Sequence, residues 1–179
     1  MRRTLRLIVL VTTAVLGALL LTTPASAAPS CAQSWGSIPE YGPASTPTGA
    51  DLLAVRAGRH TCYDRLVLSL RNGSSALDYT VRYGTVRGVG SGDPVPLRGG
   101  AALEISVWAD GATYPVGNPR RLVDVAGYRT FRQVAWAGSY EGETVIGLGT
   151  RARLPFRTFL LQGPTRLETR LVIDVAHAW

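Results

Sequence analysis

The chain has 179 residues, 19 arginines, no lysine, 12 acidic residues and a formal charge of +7. That length supports one core of ordinary size, and no basic run interleaved with aromatic residues is present, which argues against a nucleic-acid partner. Two cysteines and two histidines are too few for a cysteine-rich scaffold or a His/Cys metal cluster. The first segment in chain order is a targeting signal. Arg2, Arg3 and Arg6 precede the apolar run from Leu7 to Leu21, and TTPASA follows, with Ala25 and Ala27 at small-residue positions. This pattern predicts a secretory signal peptide over residues 1–27, cut between Ala27 and Ala28, and the apolar run is short for a membrane span. No later run of comparable length predicts an integral membrane segment after cleavage. The export route, general or twin-arginine, is open. After cleavage 16 arginines face 12 acids, a charge of +4, which favours anionic partners such as wall polymers or lipid headgroups. Lipidation at Cys31 is the rival reading. A lipidation signal asks for an aliphatic residue three before the cysteine and no proline, whereas Ala28, Pro29 and Ser30 stand there.

Residues 28–50, APSCAQSWGSIPEYGPASTPTGA, are rich in Pro, Gly, Ser and Ala. In an exported protein the even cysteine count predicts a Cys31–Cys62 bridge. The bridge pins this segment to the first strands and lets Trp35 pack there, adding roughly 3–4 kcal/mol in the chain-entropy view. The stretch GRHTCYDRLVLSL, Gly58 to Leu70, also admits a thiol enzyme. In that reading Cys62 attacks, with His60 or the distant His177 as base and Asp174 as orienter. No cysteine-hydrolase signature surrounds Cys62, and a bridged cysteine is no nucleophile. The expectation is therefore a non-enzyme.

The remaining chain reads as strands and turns. Predicted strands cover Asp51–Arg59 and Cys62–Arg71, the latter with Leu66, Leu68 and Leu70 on one face. Asn72-Gly73 signals a turn, extended by Ser74 and Ser75. Tyr79, Val81 and Tyr83 give the returning strand. Arg87–Gly100 is a loop with a short edge strand at Val95–Leu97, since its two prolines forbid a central one. Ala102–Trp108 alternates, with Leu103, Ile105 and Val107 inward. Asp110–Pro119 is a loop. Strands follow at Arg121–Tyr128, Arg132–Gly138 and Gly142–Gly149, with room for one helical turn around Gly127–Arg132. Phe156–Leu161 and Arg170–His177 close the chain. The architecture expected is an all-β antiparallel sandwich or barrel. The predicted organisation is a signal at 1–27, a disulfide-tethered segment at 28–50 and one β-domain at 51–179.

Several motifs reduce to bland readings. Gly88, Gly90 and Gly92 lack the following helix that a phosphate cradle needs, because Pro94 and Pro96 block it. Carboxylates at Asp64, Asp174, Glu141 and Glu143 are expected as solvated groups or structural ion pairs, Asp64 with Arg65 and Asp174 with Arg170. No serine stands in a nucleophile-elbow frame. No metal or cofactor is expected. Arg151, Arg153 and Arg157 share strand parity in TRARLPFRTF, interrupted by Pro155, with Trp136 and Tyr140 in the preceding segments. Rings stack on sugars and arginines grip anions bidentately, so this set is the candidate ligand face. A solvated basic face is its plain alternative.

The combination SWGSIPE, VRAGRHTCYDRLVLSL, VRYGTV, GSGDPVPLRGGAALEISV, VIGLGTRARLPFRTFLLQGPTRL and LVIDVAH resembles the AMIN-like domain proteins of actinobacteria, over residues 33 to 177. The resemblance implies a β-sandwich that binds peptidoglycan or targets a partner to the envelope, without catalysis by the domain itself. The amidase catalytic domain that AMIN domains often accompany is lacking here. The implied partner is a cell-wall polymer (peptidoglycan) or an envelope protein. A secreted adaptor or inhibitor is the alternative function.

Overall fold

A computed structural model describes residues 31, 33–43, 49–73 and 76–179. The predicted signal at 1–27 and the turn residues Ser74 and Ser75 lie outside the described residues. Among the described residues nine strands appear in chain order: β1 Glu40–Tyr41, β2 Asp51–Arg59, β3 Tyr63–Arg71, β4 Tyr79–Tyr83, β5 Ala101–Val107, β6 Phe131–Tyr140, β7 Glu143–Thr150, β8 Phe156–Gln162 and β9 Glu168–Ala176. They form two antiparallel sheets, β1-β4-β5-β7-β6 and β2-β3-β9-β8. The sheets stay separate, so the fold is a sandwich and not a closed barrel. No helix occurs among the described residues, and none is long and apolar enough to cross a membrane.

Alternation sets the core. Leu66 and Leu68 of β3 pair with Ile173 and Leu171 of β9, Leu70 and Val175 extend the same inward face, and all are fully buried. Across the sandwich Val81, Leu103, Ile105, Val107, Ile146 and Leu148 meet them. Each such side chain stabilises by roughly 1.5–3 kcal/mol relative to exposure.

The outer faces of the two sheets differ. Segment 84–100 lies against the outer face of the first sheet, where Val86, Val89, Val95 and Leu97 pack on Ala137 and Val145. Gly147 and Gly149 of β7 admit that close approach. A Cβ on Gly149 would stand 2.1 Å from the Arg98 carbonyl oxygen. On the outer face of β2-β3-β9-β8 the described N-terminal residues place Trp35 against Tyr63 and Arg157.

The chain departs from the sequence expectations at four places. Val95–Leu97 forms no strand; one isolated bridge, Arg87 to Pro94, replaces it. Arg121–Tyr128 is a packed loop, because Leu122, Val123 and Val125 reach the core without entering a ladder. The helical turn at Gly127–Arg132 is absent, since the Thr130 and Phe131 amides bond to a side chain instead. Glu40–Tyr41, unassigned in the sequence, pairs with β4.

Candidate functional site

Cys31 and Cys62 are joined by a disulfide. Cys62 thus has no free thiol for the cysteine-hydrolase reading, and Cys31 none for lipidation. The bridge brings the N-terminal segment onto the start of β3, where Trp35 lies edge-on to Tyr63 at 5.7 Å.

With Leu66, Leu68 and Leu70 directed inward, alternation turns Tyr63, Arg65, Val67 and Ser69 outward. The ladder aligns Arg65, Asp174 and Arg157 in one row, Val67, Val172 and Phe159 in the next, and Ser69, Arg170 and Leu161 in a third. In the first row a fully buried carboxylate sits between two guanidinium groups. Asp174 Oδ1 accepts from Arg65 Nε at 2.6 Å, and Oδ2 accepts from Arg65 Nη2 and Arg157 Nε, each at 2.9 Å. The hydrogen bond to Asp174 raises Arg65 above the ordinary arginine value, against the opposing effect of burial. One negative charge thus fixes two positive ones, and the Arg157 side chain remains 41% exposed.

Rings hold the same two guanidiniums. Arg157 Cζ lies 4.3 Å from the Trp35 centroid and 5.1 Å from that of Phe159. Arg65 Cζ lies 5.3 Å from Tyr63 and 5.5 Å from Phe159. His60 stacks on Tyr63 at 4.4 Å. Each cation–π contact contributes about 0.5–1 kcal/mol when exposed. Farther along the face Arg56 Nη2 donates to Ser69 Oγ at 2.7 Å. Arg170 Nε is buried without a hydrogen-bond partner among the described residues. Four arginines and one carboxylate therefore share these rows with Trp35, Tyr63 and Phe159. Such a face can stack on sugar rings and bind oxyanions through guanidinium edges.

The candidate residues read from the sequence are dispersed. Arg157 belongs to this face. Arg151 and Arg153 lie before β8 begins, so strand parity does not apply to them. Arg151 Nη2 donates to the His177 carbonyl oxygen. Arg153 lies over the Tyr83 ring at 5.2 Å and donates to the Ser37 carbonyl at 2.8 Å. Trp136 and Tyr140 lie on β6 of the other sheet. Trp136 stacks on Tyr114 at 5.7 Å, and Tyr140 is exposed beside Gly90. The structure thus does not assemble the predicted five-residue face. The expected ion pairs also exchange partners. Asp174 takes Arg65 and Arg157, while Asp64 takes His177 at 3.2 Å. Arg65, Tyr63 and Phe159 escaped the sequence reading. Their outward parity beside Asp174 was the available signal.

The fold and site define an antiparallel β-sandwich that presents an arginine–aromatic face and ties down its N-terminal segment by a disulfide. The chain belongs to the AMIN-like domain family, which matches residues 50–177. Trp35 and Cys31 precede that match. No curated protein and no solved structure matches the chain.

Proposed function

We propose that the protein is an exported, non-catalytic module that holds cell-envelope material, with peptidoglycan or an associated anionic glycan as ligand. The observation that carries the reading is the Arg65–Asp174–Arg157 row framed by Trp35, Tyr63 and Phe159. Membership of the AMIN-like family supports envelope association, and the disulfide fits an oxidising compartment. Residues 1–27 supply the export signal in this reading. Asp174 serves to orient the arginines, with rings as stacking surface and guanidinium edges as anion donors.

The test is co-sedimentation of the purified protein with peptidoglycan as salt is raised. Retention at high salt, reduced about tenfold by the Trp35→Ala/Arg157→Gln double variant, is the expected outcome. Retention that disappears as soon as salt screens charge would overturn the reading. Leu161 and Leu167, 42% and 66% exposed at the β8–β9 end, favour a second reading, an envelope-protein adaptor. Capture of one defined envelope protein without retention on wall polymer would establish it.

A further inference from the structure

Between the end of β5 at Val107 and the start of β6 at Phe131, residues 108–130 run without a strand. Structureless connections beyond about 12–15 residues are uncommon in compact domains and are usually functional or disordered. This one is fastened along its second half. Trp136 N–H donates to the Pro119 carbonyl at 2.7 Å and Leu122 N–H to that of Val134 at 2.9 Å. Val125 is buried in the core. Thr130 N–H and Phe131 N–H donate to the buried Asp64 carboxylate at 2.6 and 3.2 Å. Burying an acid and His177 to hold one loop end is costly, so the fold invests in the position of this segment.

The fastened loop, the start of β6 and Arg98 enclose an open cavity of about 620 Å³. Arg98, Arg121 and Arg132 line it, with Asp124 as its carboxylate and Tyr128 as its aromatic wall. Arg98 is placed by its backbone: its N–H donates to Gln133 Oε1 at 2.8 Å, and its carbonyl lies over Gly149, where no side chain fits. Arg132 is held by the Tyr128 and Phe131 carbonyls at 3.2 and 2.9 Å. Among the described residues neither Arg98 nor Arg132 has a carboxylate partner. Arg121 pairs with Asp124 at 2.7 Å, but both side chains are about 60% exposed, and such a pair yields readily to a competing anion. The Tyr128 ring stacks on Phe131 at 5.8 Å.

We propose that this cavity is a phosphate-ester site, separate from the outer face of the β2-β3-β9-β8 sheet. Three arginines on three stretches of chain approach one space. A planar carboxylate is matched by a single guanidinium fork, whereas a tetrahedral phosphoryl group offers oxygens in three directions. Tyr128 lines the cavity with its ring stacked on Phe131 and the Arg59 guanidinium 5.9 Å from its centroid, beside the space for the sugar or polyol that carries the phosphate.

The test is an amide and arginine side-chain NMR titration of the purified protein with glycerol 3-phosphate. Glucuronate and sodium chloride at matched ionic strength run beside it. Saturable shifts confined to Arg98, Arg121, Gly127, Tyr128 and Arg132 are expected. Affinity should weaken about tenfold in Arg98→Gln and stay unchanged in Arg166→Gln, an exposed arginine of the β8–β9 turn. A folded Arg98→Gln spectrum keeps the comparison valid, and Arg121→Gln provides a second exposed variant. Equal binding of glucuronate would overturn the phosphate class. Shifts matched by chloride, or spread over all arginines, would overturn the site. Peptidoglycan retention is not read here, so failure of this site leaves the outer-face reading standing, and the reverse.

Discussion

Asp64 joins parts of the chain that lie far apart in sequence. It lies on the inward parity of β3 and is fully buried. One oxygen takes the Thr130 and Phe131 amides, and the other faces His177 Nε2 at 3.2 Å. His177 Nδ1 faces the Thr61 carbonyl at 3.2 Å. Both ring nitrogens face oxygen acceptors, so the nitrogen that carries the proton donates. Three segments meet at this one group: the start of β3, the junction of the loop with β6, and His177 just past β9. Removing the carboxylate leaves two buried amides and His177 Nε2 without their Asp64 partner. Asp64→Ala should therefore cost about 3–5 kcal/mol in urea unfolding. A loss under about 1 kcal/mol would mean that water or a neighbour satisfies these donors as well as the carboxylate does.

At the scale of elements, the N-terminal segment acts as a clamp between the sheets. Gly42 N–H donates to Tyr79 of β4 at 2.8 Å, and the Phe156 N–H of β8 donates to Gly36 at 2.8 Å. Glu40 accepts from Thr158 N–H at 2.6 Å. The edges of β4 and β8 are thereby covered, which removes two sites of strand addition. The disulfide, with a sequence separation of 31, is the covalent end of the clamp. Reduction, or Cys31→Ala with Cys62→Ala, should lower stability by roughly 3–4 kcal/mol. It should also free Trp35 from Arg157, seen as a change in tryptophan fluorescence. Unchanged fluorescence after reduction would mean that the hydrogen bonds alone hold the segment. The strands, their inward faces and this bridge were legible in the sequence because alternation and cysteine pairing are local or nearly so. Arg121–Tyr128 misled because Leu122, Val123 and Val125 look alike in a strand and in a loop packed on the core. The binding face was legible in kind and not in membership. Arg157 was visible, but its partners Trp35 and Tyr63 lie about a hundred residues earlier, and only the bridge and the β3–β9–β8 order bring them together.

The whole sandwich is also closed by polar contacts that link its two sheets through buried phenols. Thr158 Oγ1 donates its one proton to Glu40 at 2.7 Å, so Tyr79 O–H must donate to Thr158, at 3.1 Å. That relay joins β4, β8 and β1. Tyr83 O–H donates to the Leu154 carbonyl at 2.9 Å and accepts from the Leu154 amide at 3.0 Å. Burial is the leading cause that raises both phenols above the ordinary tyrosine value. A raised folded value means that the unfolded chain loses these protons first as pH climbs. The stability they contribute is fully present below about pH 10 and is lost as pH rises through the folded values. The Tyr79→Phe/Tyr83→Phe double variant should be less stable at neutral pH, by about 1 kcal/mol for each lost hydrogen bond. It lacks the two ionisations that oppose folding at high pH, so the gap to the parent should narrow between about pH 8 and about pH 11 in urea midpoints. A gap that stays constant across that range would show that the two phenols ionise alike in the folded and unfolded chain. In that case burial at the junction of the sheets does not act on their protons.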